Sequence, residues 1–206
     1  MKYFKFSLSL LLALGVFYTL NTKLSSVPPI GKFLSPSQGV WQNEKTESTS
    51  ENFQIEGLLD KVTVYYDANL IPHIFAQNDM DLYRSQGYIT AKHRLWQMEF
   101  QTHAAAGRVS EIVGEKAIDF DKTQRRMGMV FAAENALAEM EKDPTTKAAV
   151  DAYTAGVNSY IDKLQSSQLP IEYKLLGYKP EKWTNLKSAL FTKQMTNNLA
   201  GFDKDF

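Results

Sequence analysis

"DLYRSQGYITAKHRLWQMEFQTHAAAG", running from Asp81 to Gly107, is the stretch on which the reading of the fold turns. Within it Tyr88, Ala91, Leu95, Met98, Thr102 and Ala105 recur at alternating steps of three and four residues. At 3.6 residues per turn such steps keep to one face, so these six form a single buried stripe of an α-helix. Asn78 and Asp79 stand just ahead of it, and either side chain can accept a free N–H of a first helical turn. Gly107 and Gly114 punctuate its end. The spacing predicts a helix over about 81–106.

Upstream, "KVTVYYD" (Lys61–Asp67) alternates Val62, Val64 and Tyr66 with Thr63 and Tyr65, the period of a half-buried strand. Asp67-Ala68-Asn69-Leu70 breaks it, and "IPHIFA" offers a second short strand whose Pro72 suits a strand start or an edge. A hairpin is expected. Downstream, Asp143-Pro144 places a cap before a first-turn proline, and Val150, Tyr153, Val157, Ile161 and Leu164 continue as an amphipathic helix. A further helix from Thr184 or Asn185 carries Leu190 or Phe191, Met195 and Leu199 on one side. There is no internal repeat.

Lys2 and Lys5 precede "FSLSLLLALGVFYTL" (Phe6–Leu20), an uncharged run followed by Asn21 and Lys23, which reads as an export signal. Its 15 residues sit between the apolar core of a signal peptide, about 7–15, and the roughly 17–25 residues of a membrane span. Leu24-Ser25-Ser26 is a weak cleavage site, which favours an uncleaved inner-membrane anchor over a removed signal. Either way the remainder is expected in the periplasm or otherwise outside the cytoplasmic membrane. "VPPIGKFLSPSQGVWQN" (Val27–Asn43) suits an extended connector docked through Phe33, Leu34, Val40 and Trp41, and "EKTESTSEN" (Glu44–Asn52) a solvated tether. The chain divides into a signal or anchor at 1–26, a connector at 27–56 and a domain at 57–206.

The 206 residues, 44% hydrophobic and 12% aromatic, are enough to bury a sizeable core. The 23 basic and 23 acidic residues cancel without a basic cluster, which argues against nucleic acid as a partner. The absence of cysteine excludes disulfides, thiolate metal sites and a thiol nucleophile. His93 and His103 stand ten apart, about 80° off a common helical face, and make a poor ligand pair. His73 reads as structural. Asp119 with Asp121, and Glu139 with Glu141, read as solvated faces or turns, and Arg94, Arg108 and Glu111 as buried polar ties between segments. Phosphate-loop, G-x-S-x-G and H-E-x-x-H motifs are all missing, so no residue of this chain is assigned a catalytic role.

Read in succession, "VTVYYDANLIPHIFA", "DLYRSQGYITAKHRLWQMEF", "AAAGRVSEIVG", "DKTQRRMG", "AYTAGVNSYID" and "LGYKPEKW" resemble the α-subunit of the penicillin acylase family, N-terminal nucleophile hydrolases. The resemblance runs from about Gly57 to the end, and "PPIGKFLSPSQGVWQNE" is similar to the lead-in of membrane-exported members. Two positions depart from the family pattern. Leu70 stands where glycine is usual, leaving Asn69 to take any positive backbone angle, and His93 replaces the aspartate of "A-Q-D-R", which weakens an ion pair there.

The resemblance implies an α+β fold, the αββα sandwich of that superfamily, of which this chain holds only the mainly helical α-chain part with a short β-hairpin. Two chains are cut from one precursor, and the nucleophile is the N-terminal serine of the β-chain, whose own α-amino group acts as base. The chain is therefore expected to be a fragment. Its helix over 81–106 would support the substrate cleft. By the same resemblance Met195 and Leu199 line the acyl-group pocket, Asn198 holds a position often taken by arginine, and Asp205, next to Asp203, ligates a structural calcium. No organic cofactor is implied. The implied substrate is an N-acylated small molecule, either a β-lactam with an acyl side chain or an acyl homoserine lactone. The competing expectation is a non-catalytic, membrane-tethered binding or scaffold domain derived from an acylase α-chain.

Overall fold

A computed structural model describes residues 2–23, 28–43, 50 and 52–200. In chain order the elements are α1 (Lys2–Asn21), β1 (Thr63–Tyr66), β2 (Pro72–Phe75), α2 (Asp79–Ala106), α3 (Ser110–Val113), α4 (Ile118–Arg126), α5 (Met129–Met140), α6 (Pro144–Lys163), α7 (Ile171–Leu176) and α8 (Asn185–Leu199), with short 3-10 turns at Val40–Asn43, Glu115–Ala117 and Ser166–Gln168. They form two compact units, Met1–Thr49 with Leu164–Lys179, and Ser50–Lys163 with Pro180–Phe206.

In the first unit, α1 is long and apolar enough to cross a membrane by length and composition. Residues 28–43, expected to be extended, run instead through turns, because this unit supplies local partners for their backbone. Gly39 N–H donates to Ser35 O at 2.7 Å and Val40 N–H to Phe33 O at 2.8 Å. The Lys174 ammonium on α7 donates to Gly39 O at 3.0 Å, Asn43 Oδ1 at 2.6 Å and Ser167 O at 2.9 Å. Phe33 and Val40 are half-buried, while Leu34 and Trp41 remain exposed.

In the second unit, β1 and β2 pair antiparallel with Val64 opposite Ile74. Asp67 ties the turn, its Oδ1 accepting from Asn69 N–H at 2.8 Å and Ile71 N–H at 3.0 Å. The positive backbone angle falls on Leu70 itself, φ 60°, and not on Asn69 as expected. Glycine would fit here at no steric cost, and leucine carries roughly 1–2 kcal/mol of strain. The hairpin rests on α2 through a core of Ile55, Tyr88 and Ile89, against which Leu58, Val64, Ile74 and Tyr160 pack.

The α2 helix starts one cap earlier than its apolar stripe. Asn78 Oδ1 accepts from Asp81 N–H at 2.9 Å, and Gly107, φ 64°, ends the helix in the left-handed conformation that lacks a Cβ penalty. All six stripe residues are buried. One backbone feature was not foreseen: the helix is interrupted at Arg94, φ −139° and ψ 20°. Asp143 caps α6 as expected, its Oδ2 accepting from Thr146 N–H at 2.9 Å. The buried side of α6 is centred on Ala152, Gly156 and Val157, and Leu164 lies beyond its end. A second core joins Ala105, Ala133, Ala189 and Leu190 from α2, α5 and α8.

Candidate functional site

The segment before α8 is fixed from two sides. Asn158 on α6 makes a reciprocal pair with the Trp183 backbone, accepting from its N–H at 2.8 Å and donating to its carbonyl at 2.9 Å. Thr184 then caps α8 through Lys187 N–H. From α2, the buried Glu99 carboxylate accepts Glu181 N–H at 2.8 Å. The Glu181 carboxylate in turn takes Arg108 Nη2 at 2.7 Å and Lys187 Nζ at 2.9 Å, and Arg108 reaches Glu111 through both Nε and Nη2. The Arg108 guanidinium, opposed by burial and assisted by Lys187, holds the Glu181 carboxyl down at about 2. Arg108 and Glu111 thus do tie neighbouring segments, with a third partner that sequence spacing did not reveal, but the tie is not the buried one expected, since the Arg108 side chain is 34% exposed and that of Glu111 49%.

Glu99, His103 and Glu181 bring ligand atoms within 4.8 Å of one another. The cluster is nonetheless built as an ion-pair network. Both Glu181 oxygens already face fixed cations, Glu99 is spent on a backbone N–H, and a divalent ion would meet Arg108 and Lys187 at close range.

Asp121, expected in a solvated position, is buried: its two oxygens accept Val109 N–H and Ser110 N–H, each at 2.8 Å. The carboxylate caps the turn that follows Gly107, a pairing across 11 and 12 residues that periodicity does not encode. Asp119 is solvated as expected. Burial pushes the Asp121 carboxyl up, but the bonds from Ser110 and Val109 outweigh it and hold the group below its ordinary 3.8. A lowered folded value means that the stabilisation is complete above the unfolded value and is lost as pH falls through the folded one. Asp121→Ala is expected to lower stability by about 2 kcal/mol at pH 7, with one buried and one part-buried donor left without acceptor. Thermal melting against pH should show the stability difference between parent and variant shrinking as pH falls below about 3.8, the ordinary value of Asp121, with the parent losing more than the variant over that range. Equal acid limbs would contradict the assignment.

Between α2, α6 and α8 lies a cavity of about 390 Å³, walled by Met98, Val150, Tyr153, Trp183 and Phe191, with Arg94 on its lining. Arg94 is exposed rather than a buried tie, and it donates to Gln97 Oε1 at 3.1 Å. Of the residues expected to bind substrate, Met195, Asn198 and Leu199 are brought together in the last turns of α8, all exposed, with Met195 at 42% and Leu199 at 79%. Asn198 Oδ1 accepts from Gln194 Nε2 at 3.1 Å. None of the three lines the cavity, yet Ser188, Phe191, Met195 and Leu199 recur at steps of three and four, so cavity wall and expected acyl residues share one stripe of α8. Asp205, expected to ligate calcium, lies outside the described residues.

The sequence profile of the family described as penicillin amidase matches residues 61–206. Over 134 residues, 65% of this chain and 17% of the relative, the chain is 38% identical to the penicillin acylase 2 proenzyme of Pseudomonas sp. strain SE83. It is 32% identical to the acyl-homoserine lactone acylase QuiP of Pseudomonas putida, over 66% of this chain and 16% of that protein. Among solved structures, a thermostable penicillin G acylase from Alcaligenes faecalis superposes with a TM-score of 0.60 at 24% identity, covering 69% of this chain and 76% of that one. That likeness supports the fold, mainly helical with a two-stranded hairpin. The chain spans about a sixth of the curated relatives it matches, 17% and 16%.

Proposed function

Because the chain belongs to the penicillin amidase family, we propose that it is the α-chain part of an exported amidohydrolase that releases a carboxylic acid and an amine from an N-acylated small molecule. The observation that carries this reading is the continuous match over 61–206, with relatives that are acylases of penicillins and of acyl homoserine lactones. The nucleophilic serine belongs to the β-chain of the same precursor. A free α-amino group, with an ordinary pKa of about 7.7–8.0, can take that hydroxyl's proton, so no histidine-carboxylate pair is required of this chain. Met195, Asn198 and Leu199 stand exposed at the end of α8, where a thioether and an apolar side chain can close over an acyl group once the β-chain is in place. The carboxylates of Asp203 and Asp205 are the hard oxygen donors that calcium takes, and Asp205 would supply one ligand. α1 fits an inner-membrane anchor that holds the enzyme on the periplasmic side.

The test is acid release by the complete precursor from a panel of N-acyl β-lactams and N-acyl homoserine lactones. Turnover is expected, with Met195→Ala and Leu199→Ala each changing the acyl-length preference by about tenfold or more, as loss of one to several methylene contacts requires. A processed precursor that hydrolyses none of them would leave the tethered scaffold as the better reading.

A further inference from the structure

The cavity between α2, α6 and α8 is lined by polar as well as apolar side chains, and its polar groups differ in the partners they already have. Thr90 and Thr192 turn their hydroxyl protons back onto their own helices, at 2.7 Å from Gln86 O and 3.0 Å from Ser188 O. Ser188 Oγ accepts the Trp183 indole N–H at 2.9 Å. Tyr153 remains a neutral phenol, since burial pushes its hydroxyl up. Arg94 is the single charged side chain among the lining residues, and Gln97 Oε1 takes one of its N–H groups. Among the described residues no carboxylate pairs with Arg94, and Gln97 is the one side chain shown to accept from it.

A lone guanidinium at the edge of an aromatic and aliphatic hollow selects one kind of ligand. Its planar fork matches a carboxylate bidentately. A phosphate dianion would call for further cations, and none lines the cavity. The volume, about 390 Å³, is at the small end of ordinary ligand pockets. We propose that this cavity is a binding site for a monocarboxylate with a compact apolar body, aryl or short alkyl, whose carboxylate pairs with Arg94 while its body packs among Met98, Val150, Tyr153, Trp183 and Phe191. The binding stands on the cavity alone. Only the further identification of this ligand with the acid that the reaction releases rests on the acylase reading. In that case the product is held on the same α8 stripe as Met195, four residues and about 6 Å along the axis from Phe191.

Titration calorimetry of the full chain with 3-phenylpropanoate and hexanoate, against 3-phenylpropanamide as the neutral counterpart, tests it. The acids are expected to bind and the amide to bind at least tenfold more weakly. Arg94→Gln should weaken the acids about ten- to a hundredfold, the worth of a charge-assisted pair, and leave the amide unchanged. Val150→Trp, which fills the hollow from α6, should abolish binding of all three while the melting temperature confirms folding. Equal affinity for acid and amide, indifference to Arg94→Gln, or acid binding that survives Val150→Trp would each overturn the site. So would a cavity closed by the β-chain, seen as loss of acid binding in the assembled protein. Arg94-dependent acid binding in a processed precursor that hydrolyses no amide would sink the acylase reading alone. Turnover without Arg94-dependent binding would sink this site alone.

Discussion

Gly156→Ala is expected to be the most damaging single-methyl change in this chain. The α2 and α6 helices cross with backbone nearly in contact at two glycines. A Cβ on Gly156 would sit 1.9 Å from Arg84 O, and one on Gly87 would sit 2.2 Å from Tyr153 O. Both obstacles are backbone carbonyls, which cannot swing aside as a side-chain end can. The methyl would gain up to about 1 kcal/mol in helix propensity. Against that, the helices must move apart and loosen Tyr88 and Val157, and overpacking in a dense core costs about 1–3 kcal/mol even when only side chains must yield. A net loss of roughly 3 kcal/mol is expected, a fall in melting temperature of about 6–12 °C for a domain of this size. Gly87→Ala should act in the same direction. The pair should be less than additive, because either methyl already opens the one crossing. Thermal melts of the three variants decide it, and a Gly156→Ala protein that melts with the parent would mean the close approach is absent.

That crossing shows how far the sequence can be read. The six-residue stripe of α2 was legible because burial of one helical face leaves a 3.6-residue trace, and the hairpin because half-burial of a strand leaves a trace of two. Caps at Asn78, Asp143 and Thr184 were legible for a related reason, since a cap acts within three residues of itself. Gly87 and Gly156 carried no such trace. A glycine demanded by another helix looks in sequence like one tolerated in its own. Glu99 and Glu181 meet across 82 residues, and Asp121 stabilises a turn 11 residues upstream; in both cases the partner is a backbone N–H, which has no residue identity to recognise. The interruption at Arg94 falls within a segment of good helix formers and follows from no local breaker. The site is legible only in outline. Resemblance singled out Met195, Asn198 and Leu199, and the structure gathers them at one end of α8, exposed, on the stripe that also walls the cavity.

Glu99→Ala should cost about as much as the glycine change, by a different route. Glu99 is 1% exposed, and its carboxylate is the acceptor for Glu181 N–H. That bond holds in place the residue that joins Arg108 to Lys187, and Lys187 sits in the first turn of α8 with a side chain only 12% exposed. Removing the carboxylate strands a backbone donor and leaves a void on the buried face of α2 that also carries Leu95 and Thr102. A donor stranded in this way costs about 1–3 kcal/mol, and the cavity left by the buried side chain adds to it. Glu99→Gln keeps the shape and an acceptor oxygen, so it is expected to lose about half as much. Urea unfolding gives the totals, but a loss of stability alone would not locate the cause. Amide hydrogen exchange does: the Glu181 N–H should be protected in the parent, partly protected in Glu99→Gln, and exchange at the rate of an open loop in Glu99→Ala, with the first turn of α8 following. If Glu181 stays as protected in Glu99→Ala as in the parent, the buried carboxylate is not what anchors α8, and the orientation of Met195 and Leu199 must be set elsewhere.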